Sequence, residues 1–156
     1  MNPINPIANL LSVDNIVIDL DASSKKRVFE QAGLLFENHY AIARSAVYDA
    51  LFAREKMGST GLGLGIAIPH GRIKGLKGAM GAYLRLATPV PFDAPDGLAV
   101  SQVFVLLVPE AATEQHLQLL SELAQMFSSK SFREQLAAAP DPAAALALFA
   151  QWQSPG

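Results

Sequence analysis

The chain has 156 residues, 51% of them hydrophobic, a formal net charge of −2 and no cysteine. That length encloses a core without covalent staples, and the lack of cysteine excludes disulfides, thiol nucleophiles and cysteine-bound zinc. The slightly acidic balance offers no general cationic field for nucleic acid.

No window approaches the roughly 18 consecutive apolar residues of a membrane span. The first twelve residues carry no basic side chain and do not resemble a signal peptide. A soluble cytoplasmic protein is expected, with one domain over residues 1–156.

In chain order, Asn15–Leu20 is a short β-branched run that predicts a strand. Asp21–Ser24 supplies helix-capping residues. From Lys25 to Tyr40, Val28, Phe29, Ala32, Leu35, Phe36 and His39 recur at helical spacing, which predicts a helix with His39 packed or at the boundary. A second helix is expected from Ala43 to about Lys56, with Ala46, Val47, Ala50 and Leu51 inward. Four glycines between Gly58 and Gly65 predict a loop or several turns. Gly65–Pro69 reads as a short buried strand stopped by proline, and Ala79–Ala87 as another strand. Three prolines between Thr88 and Asp96 predict a loop. Val100–Val108 is almost continuously apolar, as suits a central strand covered on both faces. Thr113 is a candidate N-cap for a helix over Glu114–Ser128, with Leu117, Leu120, Leu123, Ala124 and Phe127 on one face. Two further helical segments fall near Phe132–Ala138 and Pro142–Trp152. Interspersed strands and helices predict an α/β sandwich with a mixed sheet.

The informative segment is Gly61-Leu-Gly-Leu-Gly-Ile-Ala-Ile-Pro-His-Gly71. It places His70 at the exit of a strand, where a rigid base presents groups to solvent. Histidine there is either an ordinary loop residue or a neutral nucleophile near pH 7. Flanking glycines admit close approach, and backbone N–H groups in such turns can bind phosphate oxygens. The glycine pattern fits neither nucleotide fingerprint: Leu64 stands where a P-loop needs lysine, and Gly61-x-Gly63-x-Gly65 leads into a strand, not a helix. Arg54, at the end of the second helix, either offers planar donors to a phosphate or complements the helix dipole. His116 lies in the first turn of a helix, where the dipole favours neutral imidazole; it is a phosphoryl-stabilising donor or a half-exposed polar residue.

Taken together, Arg54-Glu55-Lys-Met-Gly-Ser-Thr-Gly-Leu-Gly-Leu-Gly-Ile-Ala-Ile-Pro-His70-Gly71 resembles the active-site signature of the mannitol/fructose-type enzyme IIA proteins of the bacterial phosphoenolpyruvate-dependent phosphotransferase system, and most nearly their nitrogen-regulatory branch. Thr88-Pro-Val-Pro-Phe-Asp93, Leu106-Leu-Val-Pro109 and the helix start at His116 are similar as well. The resemblance implies an α/β sandwich with helices on both faces of a mixed sheet. It implies that His70 takes a phosphoryl group through Nε2, that His116 is a second active-site histidine and that Arg54 helps bind the group. Ser59, Thr60 and Gly61 fall in the flanking phosphoryl-binding loop, and Glu55 matches the signature. One departure is Leu64, where nitrogen-branch relatives often carry asparagine; if that asparagine orients the histidine, this chain does so differently.

The expected reaction is an in-line displacement that needs no metal or organic cofactor. The donor implied is an HPr-like phosphocarrier protein. The downstream partners implied are regulatory targets such as sensor kinases or transport regulators, with no nucleic acid and no membrane insertion. Two alternatives stand beside it: a sugar-specific IIA that passes phosphate to a separate IIB protein, or a binding module that is never phosphorylated.

Overall fold

The structure, a computed structural model, describes residues 5–111 and 114–153. The β-branched run after Asn15 forms β1 (Ile16–Leu20). Ser24 then caps α1 (Lys25–Tyr40) by accepting a hydrogen bond from the Arg27 amide. The helix ends where Ala41 turns left-handed, at φ 57°, and α2 (Arg44–Glu55) packs back against it. Five strands follow without a helix: β2 (Gly61–Gly63), β3 (Ile66–Ala67), β4 (His70–Ile73), β5 (Met80–Val90) and β6 (Val100–Pro109). The chain closes with α3 (Glu114–Ser128), α4 (Lys130–Ala138) and α5 (Pro142–Gln151). The last is capped by Asp141, with Pro142 in its first turn.

The strands make one mixed sheet in the order β1-β5-β6-β3-β2, with β4 also paired to β6. β1 is parallel to β5, β5 antiparallel to β6, and β3 and β4 are both parallel to β6. Alternation along β6 shows why both faces are covered. Val103, Val105 and Leu107 join Phe29, Phe36, Val47 and Leu51 of the α1/α2 layer. Phe104, Leu106 and Val108 join Leu123, Phe127, Leu136 and Phe149 of the α3–α5 layer. Each fully buried phenylalanine is worth about 1.5–3 kcal/mol relative to exposure, and both layers are built around several. The expected sandwich, with helices on both faces of a mixed sheet, is therefore present.

Several local expectations change. The glycine-rich stretch contains a strand: β2 folds back on β3 through Gly63, Leu64 and Gly65, all at positive φ. The strand expected over Gly65–Pro69 shortens to β3, and a further short strand, β4, begins at His70. β3 pairs Ile66 with Gln102 and β4 pairs His70 with Leu106, along the same edge of β6. Pro69 lies in the break, where its carbonyl still accepts from the Leu106 amide. β5 runs on through Pro89 to Val90 because its register slips between Arg85 and Val90. His39, Ala46, Leu117 and Ala124 are exposed, while Met126 is buried in their stead on α3. Thr113 lies outside the described residues.

Candidate active site

His70 is the first residue of β4, at the break in the sheet edge, not at a strand's far end. Its Nδ1 is 2.9 Å from the Ile68 carbonyl. A carbonyl only accepts, so Nδ1 carries the proton and Nε2 keeps its lone pair. Arg54 Nε donates to that lone pair at 3.2 Å. Burial lowers the His70 pKa below its ordinary 6.5; the Ile68 hydrogen bond opposes this, the Arg54 charge reinforces it and Glu55 opposes it. The imidazole is neutral at pH 7, with Nε2 available to an electrophile once Arg54 releases it.

Arg54 stands beside His70 because α2 approaches β4 with almost no clearance. A Cβ on Gly71 would lie 2.8 Å from the Ala50 Cβ and 3.0 Å from its carbonyl carbon. Only glycine allows that contact, and Arg54 sits one turn beyond Ala50 on the same helix face. The guanidinium is gripped at a second point, where Nη1 donates to the Gly58 carbonyl at 2.9 Å.

Two cavities meet at this pair. A space of about 460 Å³ is lined by Arg54, His70, Met57, Arg72, His116 and Leu117. A smaller one, about 160 Å³, is lined by Arg54 and His70 with Ser59, Thr60, Gly61 and Leu62. The five other residues expected at the site thus line cavities shared with His70. Around the mouth, Met57 (82% exposed), Leu117 (57%) and Leu62 (47%) turn apolar side chains to solvent, a rim suited to a macromolecular partner.

Several of the loop's donors have partners within the chain. The Thr60 amide and hydroxyl both donate to the Glu55 carboxylate, the latter at 2.6 Å. The Gly61 amide donates to Ser59 Oγ, and the Ser59 hydroxyl donates to the Phe92 carbonyl. These donors hold the loop's shape. Leu64 lines neither cavity; its amide donates to Asp96. The Ile68 carbonyl and Arg54 do the orienting of His70. The Ile68 carbonyl, the Gly71 approach and Arg72 on the larger cavity escape sequence reasoning. Only Gly71, next to the histidine in a glycine-rich segment, leaves a signal in the sequence.

Six mixed strands between two helical layers, with one neutral histidine set against an arginine at the broken sheet edge, define an α/β protein with a histidine-centred site. The chain belongs to the EIIA 2 family of the phosphoenolpyruvate-dependent sugar phosphotransferase system, whose profile matches residues 9–152. It is 44% identical over 135 residues to the nitrogen regulatory protein of Pseudomonas aeruginosa, covering 86% of this chain and 88% of the relative. The crystal structure of nitrogen regulatory protein IIA-Ntr from Neisseria meningitidis superposes with a TM-score of 0.88 at 51% identity, over 93% of this chain and 99% of that one. The mannitol IIA of Escherichia coli shares the fold, with a TM-score of 0.75 at 23% identity over 90% of this chain and 99% of that one.

Proposed function

We propose that this chain takes up a phosphoryl group on His70 Nε2 from a histidine-phosphorylated carrier protein of the HPr type. Its phosphorylation state then controls binding to regulatory partners such as sensor kinases or transport regulators. The observation that carries this reading is the hydrogen bond from Nδ1 to the Ile68 carbonyl, which leaves the nucleophilic lone pair on Nε2. In the transfer, the N–P bond of the donor breaks and its electron pair returns to the donor imidazole, while the Nε2–P bond forms. The proton stays on Nδ1, donated to the Ile68 carbonyl, and needs no base. Arg54 exchanges its bond to Nε2 for bonds to phosphoryl oxygens, with His116 on the same cavity as the second holder. Catalysis by such a site is positioning and fixed charge. The loop 59–61 lines the smaller cavity, with the Thr60 and Gly61 amides engaged within the chain. The regulatory role follows the names of the Pseudomonas and Neisseria relatives.

The test is incubation with the carrier, its upstream kinase and phosphoenolpyruvate, with the label mapped by mass spectrometry. Label is expected on His70, and His70→Ala should take up none. Undiminished labelling of His70→Ala would overturn the assignment. Pull-downs with phosphorylated and unphosphorylated protein check the regulatory half, which fails if the captured partners are the same.

A further inference from the structure

Glu55 follows Arg54 in the chain, and its carboxylate is almost wholly buried, with its side chain 6% exposed. It accepts from the Thr60 amide at 3.1 Å and from the Thr60 hydroxyl at 2.6 Å. Lys25 of α1 places Nζ 2.9 Å from Glu55 Oε1 and 5.3 Å from the centre of the Phe92 ring. A carboxylate withdrawn from water to this degree is held only by such partners. Its two bonds to Thr60 close a six-residue ring of chain, 55–60, at the end of α2. The ring contains Gly58, whose carbonyl receives Arg54 Nη1 at 2.9 Å.

We infer that Glu55 is a positioning residue for phosphoryl transfer: it clasps Thr60, aims the Gly58 carbonyl at Arg54, and so fixes the guanidinium against His70 Nε2. The inference rests on the reading of His70 as phosphoryl acceptor. The closed ring leaves the guanidinium with two fixed anchors, His70 and Gly58, and therefore one orientation ready for an incoming phosphoryl group. Without the clasp, Gly58 and its neighbours gain freedom, and Arg54 keeps its charge but loses its aim. Misplacement by about 1 Å lowers rates roughly a hundredfold in favourable cases.

Thr60→Val tests this in the full chain, because it removes the hydroxyl leg and keeps the volume. Transfer from the phosphorylated carrier should slow roughly ten- to a hundredfold, and Thr60→Ser should recover most of the loss. The double variant Thr60→Val/Arg54→Ala should be no slower than Arg54→Ala, because both changes act through one guanidinium. Wild-type transfer in Thr60→Val, or losses that multiply in the double variant, would overturn the inference. If Thr60→Val does not fold, Glu55→Gln carries the test by NMR. The Arg54 Nε–H resonance, protected by its bond to His70, should lose protection in that variant, and retained protection refutes the clasp. Label on His70→Ala, by contrast, refutes the acceptor reading whatever the clasp variants do.

Discussion

The two side chains that share a cavity with His70, Arg54 and His116, come from opposite layers of the sandwich, and their helix segments differ in burial. Arg54 comes from the α1/α2 layer, where Gly71 packs on Ala50, Leu51 is fully buried, and both Gly58 and His70 accept from the guanidinium. His116 comes from the α3–α5 layer, on the first turn of a helix whose buried residues begin only at Leu123. Residues 114–122 include none that is buried. One arm is therefore half-buried and anchored next to the core, and the other is on a helix start beside an apolar rim. A segment with little buried surface opens locally at low free energy. Under the proposed function, the Arg54 side is the firmer one and the start of α3 is the side that yields on docking.

The comparison breaks most sharply at Gly71. Gly71→Ala forces a Cβ into the Ala50 side chain and backbone, so α2 must retreat and carry Arg54 with it. Overpacking of this kind costs about 1–3 kcal/mol. The transfer rate should fall roughly a hundredfold by misplacement, and stopped-flow or quench kinetics beside thermal unfolding measure the two effects. Full activity with unchanged stability would show that the tight contact does not place Arg54.

Next in size is the contrast between the arms themselves. Arg54→Lys keeps the charge but loses the planar fork and one of the two anchors, and should slow transfer roughly tenfold or more. His116→Ala, on the less buried arm, should slow it by less, about three- to tenfold, with no change in fold. Single-turnover rates decide the order, and a larger effect at His116 reverses the assignment of rigid and yielding sides.

The fold was legible where periodicity is long. The core faces of α1 and β6 follow from repeats of 3.6 and from an unbroken apolar run, and burial confirms Val28, Phe29, Phe36 and the whole span Val103–Leu107. The α3 face was legible only in part: Leu123 and Phe127 are buried, whereas Leu117 and Ala124 line the cavities at the site, where no core awaits them. Of the short strands, β1 and β3 fall within expected strands, whereas β2 and β4 were not legible. β2, β3 and β4 hold two to four residues each and owe their pairing to β6 and to left-handed glycines. The site residues are brought together as expected. Their hydrogen bonds could not be read from the chain: nothing local says that Thr60 faces Glu55, or that a carbonyl two residues before His70 sets its tautomer.

The rigid side also makes a claim about pH. Because burial and Arg54 lower the His70 pKa, an NMR titration of its ring should show a midpoint below 6.5. The imidazole is thus still neutral and able to accept phosphate where an ordinary histidine is half-charged. The sign for stability is the same: the unfolded chain binds this proton more readily. Stability is therefore intact above 6.5 and is lost as pH falls through the lowered folded value. Arg54→Ala should move the midpoint back toward 6.5 by removing one of the lowering contributions. A midpoint at or above 6.5 in the wild type would mean that the Ile68 hydrogen bond and the Glu55 charge outweigh burial.

The smallest expected effect lies outside both arms, at Leu64. This residue holds φ at 60° between two glycines and leaves its side chain 58% exposed. A branched apolar residue in the left-handed region costs about 1 kcal/mol, and asparagine tolerates that region better. Leu64→Asn retains the amide that donates to Asp96. It should raise stability by about 0.5–1 kcal/mol, or roughly 1–4 °C in Tm for a domain of this size. If His70 is oriented by the Ile68 carbonyl and Arg54, the ring titration of His70 should be the same in this variant. A shifted titration would mean that the β2–β3 turn, and not only the α2 side, bears on the histidine, and the division into one rigid and one yielding arm would need a third member.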